Sequence, residues 1–147
     1  MRFPLVVIRS SGTSGKETMD HIETAEPVSL ETVRRIGAAF ANRDVDGIVD
    51  AFAEDGEFRN AKGPEIWGKS YRGKSEIRAF FTQLFANSPD IKWRHTAEYV
   101  VGNRGITEWH RTATLTTGEK QEWLGVDIYT FRGQKILRKD TYIKVVG

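Results

Sequence analysis

Asp127 and Asp140 are the residues of this 147-residue chain whose types and placing first suggest chemistry. Each lies in a strand-like run, EKQEWLGVDIYTF or ILRKDTYIKV, and RGQK separates the two runs. A two-residue Gly133-Gln134 turn sets Arg132 opposite Lys135 and, counting back, Asp127 opposite Asp140. Side chains alternate faces with period two and opposed Cβ atoms lie about 4.5–5.5 Å apart. Two carboxylates in that register repel each other unless a site uses them. Between Val126 and Ile128, Asp127 is expected to be desolvated, which raises a carboxyl pKa and lets it carry a proton near neutrality. On this reading Asp127→Asn relieves repulsion and leaves stability intact. Asp140 follows Arg138 and Lys139, so a surface ion pair suits it as well as a catalytic role.

The neighbouring strand-like segments extend the cluster. A two-residue Thr117-Gly118 turn brings Glu108 to the other side of Asp127, and Gly102-Asn103 adds Ala97 to the same row. The adjacent row then holds His95, His110, Gly125 and Tyr142, continued by Trp93, Thr112 and Trp123. His110 reads equally as a satisfied buried imidazole and as the proton-transfer partner of Asp127. Gly125 leaves room for a ligand to approach the acid. His95, His110, Glu108 and Asp127 are also metal-ligand types. HxH and HExxH spacings are absent, however, and no metal is assigned. GKSYRGKS lacks the Walker spacing and there is no Gly-x-Ser-x-Gly elbow. The chain has no cysteine, which excludes a thiol nucleophile, a thiolate metal site and a disulfide framework. What remains is acid–base chemistry on a bound small hydrophobic molecule. Asn60, Trp67, Tyr71, His95, Glu108, Trp123, Tyr129 and Tyr142 are the candidate substrate-binding residues.

Three helices and four long strands must position this cluster. Ser29 and Thr32 open a helix carrying Leu30, Val33, Ile36 and Phe40 at helical spacing, with Gly37 permitting close approach. Asp44 caps a second, with Val45, Ile48, Val49 and Phe52, ending in a Glu54-Asp55-Gly56 turn. Glu57 to Asn60 reads as a short strand and Ala61 to Ser70 as a loop. Gly73 and Ser75 introduce a third helix with Ile77, Phe80, Phe81, Leu84 and Phe85 on one face, stopping before Pro89. From Ile91 the period changes: 91–101, 104–116, 119–132 and 135–146 read as an antiparallel meander. The fold class is α+β, with the helices covering a sheet that curls around a hollow.

Residues 1–28 read as a flexible extension in which Leu5 to Ile8 could form an edge strand, and 29–147 as one domain. Basic and acidic residues nearly balance, 22 against 20, and no basic run marks a nucleic-acid partner. No apolar run is long enough to span a membrane, and the cytoplasm is the expected compartment. The outer face of the meander collects Leu124, Val126, Ile128, Leu137 and Ile143, from which a homodimer is expected.

These stretches carry a family likeness. FANRDVDGIVDAFAEDGEFRN followed by YRGKSEIRAFF resembles the start of ketosteroid isomerases and SnoaL-like polyketide cyclases of the NTF2-like superfamily, and GVDIYTFRGQKI resembles their penultimate hairpin. The resemblance spans nearly all of Ser29 to Val146 and implies an NTF2-like cone of three helices on a strongly curved, mainly antiparallel sheet around a hydrophobic pocket. It places Asp127 where ketosteroid isomerases keep an oxyanion-hole Asp. Asn60 stands where they have the general-base Asp, and Ile36 where they have the oxyanion Tyr. The cyclases imply an aldol ring closure without a cofactor, with a pocket Asp as acid–base catalyst, the role open to Asp127 with His110. Limonene epoxide hydrolase is similar in its last-strand acid, at Asp140, but no Arg-x-Asp occurs in Arg104 to Thr116. A non-catalytic binding module is the alternative that the superfamily also supplies.

Overall fold

The computed structural model describes residues 27–146. The expected strand at Leu5 to Ile8 and nearly all of the expected extension lie outside these residues. Val28 already belongs to the packed unit: its side chain is buried in the core and its N–H donates to the Gly102 carbonyl.

Helix α1, Leu30–Ala41, begins where the Ser29 hydroxyl accepts from the Thr32 N–H, and helix α2, Val45–Ala51, where Asp44 accepts from the Gly47 N–H. Each cap satisfies an N–H that the helix cannot, and the acids Glu31 and Asp46 in the first turns suit the helix dipole. Strand β1, Phe52–Arg59, follows α2 directly, and β2, Ser70–Arg72, pairs with it antiparallel. Helix α3 spans Gly73–Asn87. Four strands complete the chain: β3 Lys92–Val101, β4 Arg104–Thr114, β5 Lys120–Arg132 and β6 Lys135–Ile143. They form one six-stranded sheet in the order β2-β1-β6-β5-β4-β3, antiparallel except where β1 runs alongside β6.

Two expectations differ from this architecture. The Glu54-Asp55-Gly56 segment lies within β1 as an irregularity in its pairing with β6, between Phe52 and Glu57, and is not a turn ahead of the strand: Asp55 accepts from both Nη groups of Arg132, and a side chain at Gly56 would press on the Ile136 carbonyl. Ser70, assigned to the loop, and the next two residues form β2.

The core is apolar and aromatic. Val33, Ile36, Phe40, Ile48, Phe52, Phe58, Ile77, Phe81, Tyr129, Phe131 and Ile136 pack between the helices and the inner face of the sheet. Phe58 and Phe81 lie 5.1 Å apart, Phe40 meets Phe81 edge-on at 5.3 Å, and Tyr71 stacks on Phe58. Such pairs add roughly 0.5–1.5 kcal/mol each beyond the apolar area they bury. No helix among the described residues is long and apolar enough to cross a membrane.

Candidate active site

Strand registers decide which polar residues face inward. The Gly133-Gln134 turn sets Arg132 opposite Lys135 as expected, but β6 then bulges at Leu137, so that Asp127 pairs with Thr141 and Ile128 with Asp140. The expected facing of Asp127 and Asp140 is therefore wrong by one residue. The bulge keeps Arg138 on the outer face, where its Nε donates to Glu57 at 3.2 Å, and turns Lys139 inward. Between β4 and β5 the expected two-residue turn is a three-residue loop, Thr116 to Gly118, with Gly118 at φ 92°. Asp127 consequently faces Thr107, not Glu108. Ala97 does pair with Glu108, but the bulge at Thr96 sets His95 opposite Trp109 instead of His110.

Asp127 nonetheless points inward, because it alternates with Trp123, Gly125, Tyr129 and Phe131 on one face of β5. Its environment is the opposite of a carboxylate pair. Oδ1 lies 3.1 Å from Lys139 Nζ and accepts from the Thr141 hydroxyl at 2.7 Å; Oδ2 accepts from Trp109 Nε1 at 3.1 Å and from the Thr107 hydroxyl at 3.5 Å. Lys139 Nζ also donates to Thr141 at 2.8 Å and sits over the rings of Phe58 and Phe40 at 4.6 and 5.0 Å. Both members of the ion pair are buried, with 6 % of each side chain exposed. Burial pushes the Lys139 ammonium below its ordinary value, and Asp127 holds it back part of the way. Gly125 does not leave space for a ligand: the Trp109 indole lies across it, where a Cβ would stand, and so reaches Asp127.

A cavity of about 240 Å³ opens above this pair, walled by Phe58, Phe80, Phe81, Trp93, Trp109 and Trp123. Polar groups reach it from Lys139, Thr141, Arg111, Gln121, Asn60, Lys62, Asn87 and Ser88. Arg111 is buried; its guanidinium stacks 4.1 Å over Trp123, and Nη1 donates to Gln121 Oε1 at 3.2 Å. Burial alone pushes its pKa down to about 10, so it stays charged at neutrality. The Ser88 hydroxyl is buried with no hydrogen-bond partner among the described residues. A wider hollow of about 620 Å³ adjoins the cavity through Asn60, Ala61, Lys62, Trp123, Thr141 and Ile143, and Lys62 Nζ caps the Trp123 ring at 4.6 Å.

The other candidates are scattered over several places. Asn60 and Trp123 line the cavity. Trp67, Asp140 and Tyr142 line only the outer hollow, where the Tyr142 hydroxyl donates to Asp140 at 3.3 Å. His110 and Glu108 are on the outer face: His110 Nε2 lies 2.6 Å from Glu122, and Glu108 holds the Tyr99 phenol above its ordinary value. His110 is thus not a neighbour of Asp127, and Asp140 does not share its face. His95 is inward but packs against Gly37 of α1, and burial lowers its imidazole pKa. Tyr129 and Tyr71 belong to the core or its edge. Among the described residues no group of three or more His, Cys, Asp or Glu could hold a metal.

Sequence reasoning did not single out Lys139, Arg111 or Ser88. Arg111 alternates with Trp109 and Ala113, a pattern that marks an inner face of β4. Lys139 lies in a charged Arg-Lys-Asp run that reads as surface, and only the bulge turns it inward.

The chain belongs to the SnoaL-like domain family, whose model matches residues 33–139. That family includes polyketide cyclases and ketosteroid isomerases. No curated protein matches the chain. Among solved structures, an NTF2-like protein of unknown function from Burkholderia pseudomallei is 20 % identical with a TM-score of 0.69, over 78 % of this chain and 89 % of that one. A protein with a ketosteroid isomerase-like fold from Catenulispora acidiphila, in complex with trimethylamine, is 18 % identical (TM-score 0.67, over 76 % and 84 %). TerC, co-crystallised with polyporic acid, is 21 % identical (TM-score 0.66, over 78 % and 90 %). At these identities the likeness establishes the NTF2-like fold.

Proposed function

We propose that the protein is an acid–base enzyme of the cyclase or isomerase type that works without a cofactor on a small hydrophobic molecule bound in the cavity. The observation that carries this reading is the buried Lys139–Asp127 pair beneath an aromatic wall, with Nζ 3.1 Å from the carboxylate. A lysine whose ammonium is destabilised by burial becomes a usable base, and a carboxylate behind it stabilises the ammonium once formed.

The steps balance without a redox change. Lys139, paired as an ammonium in the resting site, first releases one proton to solvent, which its lowered pKa eases; the resulting amine takes a proton from carbon next to a carbonyl, and the electron pair moves onto the carbonyl oxygen as an enolate. The buried Arg111 guanidinium, which has no carboxylate partner among the described residues, is a cation that can stabilise that oxygen, with Lys62 a second cation at the cavity's mouth. Returning the proton at another carbon completes an isomerisation. Attack of the enolate carbon on a second carbonyl, with the ammonium protonating the new alkoxide, completes an aldol cyclisation. Asp127 works in both through Lys139. Structures of the same fold have been solved with polyporic acid, for TerC, and with trimethylamine, for the Catenulispora protein.

The test is solvent deuterium incorporation into a panel of 1,3-dicarbonyl compounds, followed by proton NMR with the full chain and with Lys139→Met. Exchange in the parent that falls about 10²-fold or more in the variant, the usual worth of one acid–base residue, supports the reading. Binding of panel members without exchange refutes it in favour of a non-catalytic binding module.

A further inference from the structure

The cavity holds more positive charge than its own residues neutralise. Lys139 is paired with Asp127, whose oxygens are all engaged by Lys139, Thr141, Trp109 and Thr107. Arg111 has no such partner. Its one side-chain hydrogen bond among the described residues goes to a neutral amide, that of Gln121, and no carboxylate contributes to its electrostatic environment. It is 4 % exposed, with its planes against Trp123 and Trp93 and its remaining N–H groups unaccounted for. A buried guanidinium without an anion is costly, and fixing one between two indoles maintains that cost in the empty protein. The Ser88 hydroxyl in the same cavity is a second buried group without a partner, one more donor that water-excluding walls have left unmatched.

We propose that the cavity takes a planar conjugated carboxylic acid or equally acidic enol as its anion, the charged oxygens accepting from Arg111 and the ring system lying between Trp93, Trp109, Trp123 and Phe81. The inference deepens the proposed function, since it rests on the same cavity being the working site and names the substrate class. A volume of about 240 Å³ lies below the roughly 300–1,000 Å³ of pockets for drug-sized molecules, so the seated part is one or two rings. Anything larger extends past Lys62 into the outer hollow. The guanidinium fork matches two coplanar oxygens, which distinguishes a carboxylate or a vicinal enol from a lone hydroxyl.

The experiment compares benzoate and 2-naphthoate with benzamide and 2-naphthamide, pairs of the same shape that differ in charge. Binding to the full chain is read by isothermal calorimetry and by quenching of tryptophan fluorescence. Each carboxylate is expected to bind roughly tenfold or more tightly than its amide, the worth of a charged hydrogen bond. In Arg111→Met that preference is lost, carboxylate affinity falling to about that of the amide, because the charged fork is gone while Met preserves apolar contact with Trp123. Removing an unpaired buried cation does not demand destabilisation; should Met not fold, Arg111→Gln carries the same test. Equal binding of acid and amide, binding of neither, or an undiminished preference in the Arg111 variant overturns the inference. Carboxylate binding that depends on Arg111 without deuterium exchange on any substrate sustains it and removes the enzymatic reading. Exchange without a carboxylate preference does the reverse.

Discussion

Asp127→Asn should destabilise the protein strongly, and by an amount that depends on pH. The sequence suggested the contrary, because an acid opposite Asp140 and Glu108 would be relieved by neutralisation. In the structure the carboxylate faces an ammonium at 3.1 Å, with both side chains only 6 % exposed. Removing one partner of a buried pair costs about 3–5 kcal/mol. A second argument sets a ceiling on the same quantity. The folded variant can shed the Lys139 proton, and holding a lysine of ordinary pKa neutral costs about 5 kcal/mol at pH 7 but about 2 kcal/mol at pH 9. The sign follows from proton counts: with Asp127 gone, folded Lys139 has a lower pKa than unfolded lysine, the unfolded chain binds more protons in between, and stability rises with pH. Urea unfolding followed by circular dichroism should therefore show a loss of about 3–5 kcal/mol at pH 7 that shrinks by about 1 kcal/mol or more at pH 9. Adding Lys139→Met to Asp127→Asn should recover most of the loss, since a buried pair exchanged as a whole is often neutral. A loss below about 1 kcal/mol at pH 7, or one unchanged at pH 9, would refute the buried-pair argument.

Three further outcomes are expected. Gly125→Ala should cost about 1–3 kcal/mol as overpacking, and should shift the Trp109 indole N–H signal in proton NMR, because the added methyl displaces the ring that bonds Asp127. Glu57→Gln should cost about 1–3 kcal/mol at neutral pH. Burial pushes the Glu57 carboxyl up, but Ser70, Arg59 and Arg72 hold it below its ordinary value on balance. That contribution is present above the unfolded carboxyl pKa of about 4.3 and lost as pH falls through the lower folded value, so melts at pH 7 and pH 3 should separate and then converge. We also expect a homodimer through the outer face, where Tyr99, Val101, Leu124 and Tyr142 are half-exposed. Sedimentation at micromolar concentration should give twice the chain mass, and Leu124→Glu should reduce it to one. Ile143, expected on that face, is turned into the cavity by the Leu137 bulge.

The helices and the four-strand meander were legible because their signals are local, whereas the parallel pairing of β1 with β6 was not. Ser29 and Asp44 cap within three residues of themselves, and the Leu30, Val33, Ile36 and Phe40 spacing needs no partner to be read. The inward direction of Asp127 was legible for the same reason, since Tyr129 and Phe131 beside it can only face the core. Register was not. It turns on one residue at Thr116 to Gly118, one at Leu137 and one at Thr96, and at Leu137 a tertiary partner is involved, Glu57 holding Arg138 outside. Those single steps moved Asp140, Glu108 and His110 away from the cavity and brought in Lys139, which its charged neighbours disguise. Arg111 hid because a buried cation without an anion breaks the ordinary rule of burial, and such breaks gather where ligands bind.

The most direct measurement follows Lys139 itself. With ¹³C- and ¹⁵N-labelled lysine in the full chain, and Lys139→Arg to assign the signal, NMR titration reads the side-chain ammonium directly. If the pair is the proton-transfer unit, Lys139 titrates below the ordinary lysine value of about 10.4, and lower still in Asp127→Asn. A Lys139 that titrates at or above that value in the parent, or does not move when Asp127 is neutralised, contradicts a base poised by burial and held by its carboxylate.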